Sequence, residues 1–134
     1  MTAEAPKSHE QYAAHIPALH LLCNLGWNFL TTADALAMRG STREVLLRSR
    51  LVEVLQTRRY EYKGQTFPLS SSGIEQIVRE LSALSLAEGL LPANARLFVK
   101  LALGITVTEF MPDGKKHQPT IPIIDWADPA ANRW

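Results

Sequence analysis

Few residues of this 134-residue chain are of a type to do chemistry, and their spacing decides what that chemistry could be. Pro112-Asp113, with Gly114-Lys115 behind it, has the letters of a metal-dependent nuclease site. There, two carboxylates hold Mg²⁺, which activates water and stabilises the leaving oxygen. That chemistry takes an Asp at one strand end and an acid-x-Lys on the next. Asp113 would have to fill both positions, so the stretch reads as a turn in which Pro presets φ and Gly accepts positive φ. His20 and Cys23 share a helix face, with His15 and His117 as further donors, but no second pair has ligand spacing and zinc takes three or four ligands. Cys23 reads as a small buried apolar residue. The serines at 70–72 lack both the G-x-S-x-G elbow and the Walker pattern, and read as a helix cap.

Arginines are the remaining candidates. Between Arg39 and Lys63 stand seven basic residues against three acidic ones, a local charge of +4, while the rest of the chain is −3 and the whole is +1. Arg43, Arg48, Arg50, Arg58 and Arg59 are the candidate nucleic-acid-binding residues, contacting backbone phosphates. The competing reading is a solvated helix face paired with Glu44 and Glu53 at helical spacing.

The elements that must position these residues follow from periodicity. His15 to Leu30 reads as an apolar helix, with Leu19, Leu22 and Leu25 on one face, stopped by Gly26 and followed by a short strand over Trp27–Leu30. We expect the other elements to pack around it. Residues 1–7 read as a disordered tail, and Ser8 with Gln11 as a capping box opening a helix that Pro17 divides into two segments of continuous direction. Thr32 caps a short helix through Met38 that ends at Gly40. Ser41 with Glu44 opens the longest helix, Thr42 to about Thr57. YEYKGQTF is a hairpin around Lys63-Gly64. Ser72 with Glu75 opens a helix whose face is Ile74, Ile77, Val78, Leu81 and Leu84. Leu86 to Leu91 is a turn or short helix, and Asn94 or Pro92 starts another through Leu103. ITVTEFM, the 112–115 turn and a second strand to about Ile124 make a last hairpin, whose Pro119 and Pro122 mark an edge. The fold class is α+β, mainly helical over the N-terminal two-thirds with a short hairpin, and closed by a C-terminal β-hairpin. We expect a single domain over 8–134. A single cysteine excludes an internal disulfide and fits a cytoplasmic setting. The polar N-terminus has no secretory h-region, and no apolar run approaches the roughly 18 residues of a membrane span.

AAHIPALHLLCNLGWNFLT, followed by Ala37-Met38-Arg39-Gly40 and TREVLLRSRL, resembles the opening of the R (restriction and translocation) subunit of type I restriction-modification enzymes. The resemblance continues through Tyr60-Glu61-Tyr62-Lys63-Gly64, Ile74-Glu75 and Leu101-Ala102-Leu103-Gly104 to Ile124-Asp125-Trp126, Pro129 and Asn132. It implies a parent that is an ATP-dependent endonuclease working with methylation and specificity subunits. In that family the nuclease acids and lysine lie C-terminal to the segment matching 125–134, so neither they nor the helicase motifs have a counterpart here. Mg²⁺ and ATP are therefore implied only for the parent, with no catalytic residue, metal or cofactor for this chain. Related nuclease folds carry a glutamate on their first helix near the metal. Glu10 and His15 compete for that position, and a solvated Glu10 near the helix start suits the helix dipole.

Two functions are expected from this. One is the N-terminal portion of an R subunit, a natural truncation or a piece, non-catalytic, flanking the nuclease domain and contacting DNA. The alternative is a stand-alone interaction or decoy protein that inhibits a restriction or other defence complex. Partners are accordingly other subunits of such a complex, and DNA, without a membrane. An independent small enzyme finds no catalytic constellation.

Overall fold

The computed structural model describes residues 11–83 and 85–132. The expected tail at 1–7, the Ser8 capping box and Glu10 lie outside them, as does Leu84 of the expected helix face. The sequence suggests one domain over 8–134; the chain divides into two compact units with the boundary between Asp34 and Ala35.

In the first unit a π-helical turn, Gln11–His15, runs into helix α1, Ile16–Asn24. Pro17 stands in the first turn of α1 but inside a continuous helical stretch, so its missing N–H interrupts the ladder there. The widened turn lies immediately before it. Gly26, at φ +93°, closes the helix with a Schellman motif, in which the Gly26 amide donates to the Cys23 carbonyl and the Trp27 amide to that of Leu22, both at 3.0 Å. The helix and its stop are where the sequence puts them. No residue of α1 is buried. Spacing of three and four marks an apolar stripe; it does not say what covers the stripe. Trp27 to Leu30 is irregular, since among the described residues this unit offers no second strand to pair with. Thr31, one residue before the expected cap, accepts the Asp34 amide at 3.1 Å and starts α2, Thr32–Arg39.

The second unit holds the core. Helix α3 spans Arg48–Thr57, strands β1 Arg59–Tyr62 and β2 Gln65–Pro68, and helices α4 Ser71–Ser82 and α5 Leu90–Leu103. The strands β3 Ile105–Thr106, β4 Glu109–Phe110, β5 Lys116–His117 and β6 Thr120–Ile121 follow. The class is α+β, as expected. Leu55, Tyr60, Leu69, Ile105, Val107, Met111, Ile121 and Ile123 close around Ile74, Ile77, Val78 and Leu81 of α4, whose predicted apolar face is buried.

Boundaries differ from the expected ones where capping chemistry is ambiguous. Ser41 does not open a helix: its hydroxyl accepts the Arg43 amide in a local turn, and Leu46 packs against the core before α3 begins at Arg48. Ser70, not Ser72, caps α4 by accepting the Gly73 amide at 3.0 Å. Helix α5 begins before Pro92, which its first turn tolerates.

Strands β1 and β2 pair antiparallel with Tyr62 opposite Gln65, so Lys63 and Gly64 form a two-residue loop, both at positive φ. The last hairpin is broken in the middle: β3 pairs with β6 and β4 with β5. Pro119 lies in the gap and cannot donate to a ladder. Its carbonyl still accepts the Val107 amide at 3.0 Å, and the neighbouring Thr108 backbone is bonded by the Gln76 side chain of α4, which accepts the Thr108 amide at 2.9 Å and donates to the Thr108 carbonyl at 3.1 Å. Gly104, at φ +85°, is the joint between α5 and β3, where a Cβ would meet the Ile121 carbonyl oxygen.

Candidate nucleic-acid interface

The five arginines singled out in the sequence do not form one surface. Arg43 is exposed on the 40–47 loop. Arg48, at the start of α3, pairs with Glu75 of α4 at 2.8 Å, and Arg50 pairs with Glu53 one turn along at 3.1 Å. These pairs are half-exposed, so each constrains its guanidinium weakly. Arg59 is exposed and donates to the Gln56 carbonyl at 3.3 Å.

Arg58 does not belong with them. Its side chain is buried, donating to the carbonyls of Pro122 and Ile123 and to the Asn132 side-chain oxygen, each at 3.1 Å. A guanidinium committed to three internal acceptors is not free for a phosphate, and Arg58 is withdrawn from the candidate contacts. In the sequence it looks like its neighbour Arg59; the alternation of extended backbone turns one inward and the other outward.

Arg58 anchors a compact turn. Asp125 accepts the amides of Ala127 at 3.1 Å and Asp128 at 2.9 Å, and Asp128 caps the 3₁₀ turn Pro129–Ala131. Asn132 closes the loop: its oxygen accepts the Asp125 amide at 2.8 Å, and its nitrogen donates to the carbonyls of Asp125 and Pro129. The Asp-Trp…Pro…Asn spacing thus encodes a hydrogen-bonded knot. The adjoining cleft, about 690 Å³, carries charge of both signs in Glu53, Arg59 and Asp125.

A second cleft, about 510 Å³, is cationic. Arg39 at the end of α2, Arg48 and Arg79 of α4 line it with Ser41, Ser82 and two carboxylates, Glu44 and Glu75. Arg48 occupies Glu75, and the Arg39 Nε is buried with no hydrogen-bond partner. Sequence reasoning misses Arg39 and Arg79. Arg79 stands four residues after Glu75 and looks like its helical partner.

Asp113 sits in the expected Pro112–Lys115 turn. It accepts the Lys115 amide at 3.1 Å, the Tyr62 hydroxyl at 3.0 Å and the Lys63 ammonium at 2.8 Å. Hydrogen bonding from Lys63, then from the Lys115 amide, holds its carboxyl down at about 2, and the same ion pair raises the Lys63 pKa. Both oxygens are committed to turn and cross-hairpin bonds. Cys23 is exposed, not buried, because α1 buries nothing. Among the described residues no three His, Cys, Asp or Glu side chains come together as a metal site, and no helix is long and apolar enough to cross a membrane.

Residues 7–134 match the family described as type I restriction enzyme R protein N terminus. Neither the curated proteins nor the solved structures contain a significant match.

Proposed function

The chain belongs to the type I restriction enzyme R protein N-terminal family, and on that premise we propose that it acts as a non-catalytic module that braces the nuclease domain of an R subunit and contacts DNA. The observation that carries the DNA contact is the solvent-facing arginine set, in which Arg43, Arg48 and Arg59 are exposed and Arg50 half-buried, now without Arg58. Such guanidiniums engage phosphates without reading sequence, so they would position the duplex. In this reading Mg²⁺ and ATP serve other segments of the parent, the partners are the other subunits of the complex, and the setting is cytoplasmic.

The test is fluorescence anisotropy of a labelled DNA duplex over a salt series, with the full chain and an Arg43→Ala/Arg50→Ala/Arg59→Ala variant. We expect affinity to fall with salt. The slope of log K against log salt should flatten in the variant by about 0.9 for every phosphate it no longer neutralises. Equal affinities and slopes for the two proteins would refute DNA binding by these residues.

A second reading, a stand-alone decoy of a defence complex, is favoured by the apolar side chains that α5 turns outward, Leu91, Phe98, Val99 and Leu103, all more than half exposed. Charge changes on that face (Phe98→Asp) would abolish capture of a restriction-complex subunit if it holds.

A further inference from the structure

We propose that the cleft between Arg39, Arg48 and Arg79 is a binding site for a phosphate monoester. One donor there lacks what its neighbours have. The Arg39 Nε is buried and unpartnered, and buried donors in folded proteins almost always have an acceptor, from the protein, water or a ligand. Arg39 belongs to a cation, so its acceptor is best an anion. The second cation is Arg79. The carboxylate one turn before it on α4, Glu75, is held by Arg48 at 2.8 Å, and the Arg79 side chain makes no hydrogen bond or ion pair among the described residues. Two guanidiniums of one cleft are thus left without carboxylates, while a third is fixed in place by its own. Guanidinium groups present paired N–H donors that match two phosphate oxygens at once.

The rest of the lining suits the same ligand. The Ser41 and Ser82 hydroxyls can donate, and Gly40 leaves part of the wall without a side chain. Three guanidiniums against two carboxylates leave the cleft a net charge of +1, with Glu44, which holds no ion pair, offsetting one of the two unpaired guanidiniums. A terminal phosphate carries nearly two charges at neutral pH and a backbone diester one. Beside the unpaired Glu44 the monoester has one advantage over the diester: its second pKa lies at about 6, so it can keep a proton to donate to that carboxylate, which a diester lacks. At about 510 Å³ the cleft has room for the phosphate and the sugar that carries it. A 5′-phosphorylated nucleic-acid end and a free mononucleotide share this chemistry. The site shares Arg48 with the proposed DNA contact but does not require that Arg43, Arg50 or Arg59 bind DNA.

The first measurement is the NMR shift of the arginine Nε–Hε signals of the full chain, titrated with inorganic phosphate against chloride at constant ionic strength. We expect the Arg39 and Arg79 signals to move with phosphate and not with chloride. Phosphate-independent signals overturn the proposal. So does an Arg39 signal that moves on Glu44→Gln but not with phosphate, because Glu44 would then be the missing acceptor. The second measurement compares 5′-phosphorylated and 5′-hydroxyl oligonucleotides of one sequence by anisotropy. A preference of fivefold or more for the phosphorylated strand, abolished by Arg79→Gln and preserved in Arg43→Ala, assigns the ligand to a nucleic-acid end. Equal binding of the strands, with the Nε–Hε response reproduced by AMP, assigns it to a mononucleotide. A phosphate response without any oligonucleotide binding refutes the DNA reading and keeps the cleft. Oligonucleotide binding without a phosphate response does the opposite.

Discussion

Replacing Arg58 separates a structural arginine from a binding one. The variant Arg58→Met keeps the length of the side chain and removes three hydrogen bonds, to Pro122, Ile123 and Asn132. These are not equal. Pro122 is exposed, so water replaces the missing donor at its carbonyl, and the Asn132 oxygen retains the Asp125 amide. Ile123 is 8% exposed, and its carbonyl is left buried without this donor. Bonds to a charged group contribute about 1.5–3 kcal/mol each and an orphaned acceptor costs about 1–3 kcal/mol. Relief from burying a guanidinium works the other way. The net expectation is a loss of about 3 kcal/mol, or roughly 10 °C in Tm for a chain of this length. Urea denaturation gives the stability, and anisotropy below the unfolding transition gives the DNA affinity. Arg58→Met lowers the first and leaves the second unchanged; Arg43→Ala does the reverse. Arg58→Met at full stability with weakened DNA binding would refute the assignment of Arg58 to the interior.

Gln76→Leu removes both side-chain partners of the Thr108 backbone; we expect a loss of about 2 kcal/mol and faster amide exchange at Thr108, while unchanged exchange there would sink the role given to Gln76. Asp113 gives a pH dependence. Its folded pKa is depressed from the ordinary 3.8 to about 2, so its contribution is fully present above the unfolded value and lost as pH falls through about 2. A carboxyl NMR titration should place its midpoint near 2, and Asp113→Asn should remove that part of the acid dependence.

Periodicity makes much of the fold legible. The α4 face, the Lys63-Gly64 loop and the Pro112–Lys115 turn rest on local rules, and the structure keeps them. Long-range choices are not legible. Three serines in a row each look like a cap, and which one serves depends on where the preceding strand delivers the chain. Arg58 and Arg59 differ only in the side of the extended backbone from which they project, and Glu75 pairs with Arg48 on another helix rather than with Arg79 on its own. That last pairing leaves Arg79 unclaimed in the cationic cleft, so the candidate site is the least readable part of the chain. The apolar stripe of α1 announces an interface without naming its other half.

The knot around Asn132 makes one side-chain amide the point on which the whole turn depends. Its one side-chain amide holds four bonds: two as acceptor, from Arg58 and Asp125, and two as donor, to the carbonyls of Asp125 and Pro129. Hydrolysis of that amide to a carboxylate would strengthen the pull on Arg58 while turning both donor bonds into oxygen-against-oxygen repulsion. The turn would then open from the carbonyl side with its anchor intact. A protein deamidated there would therefore differ by one unit of mass and by a loosened 125–132 segment.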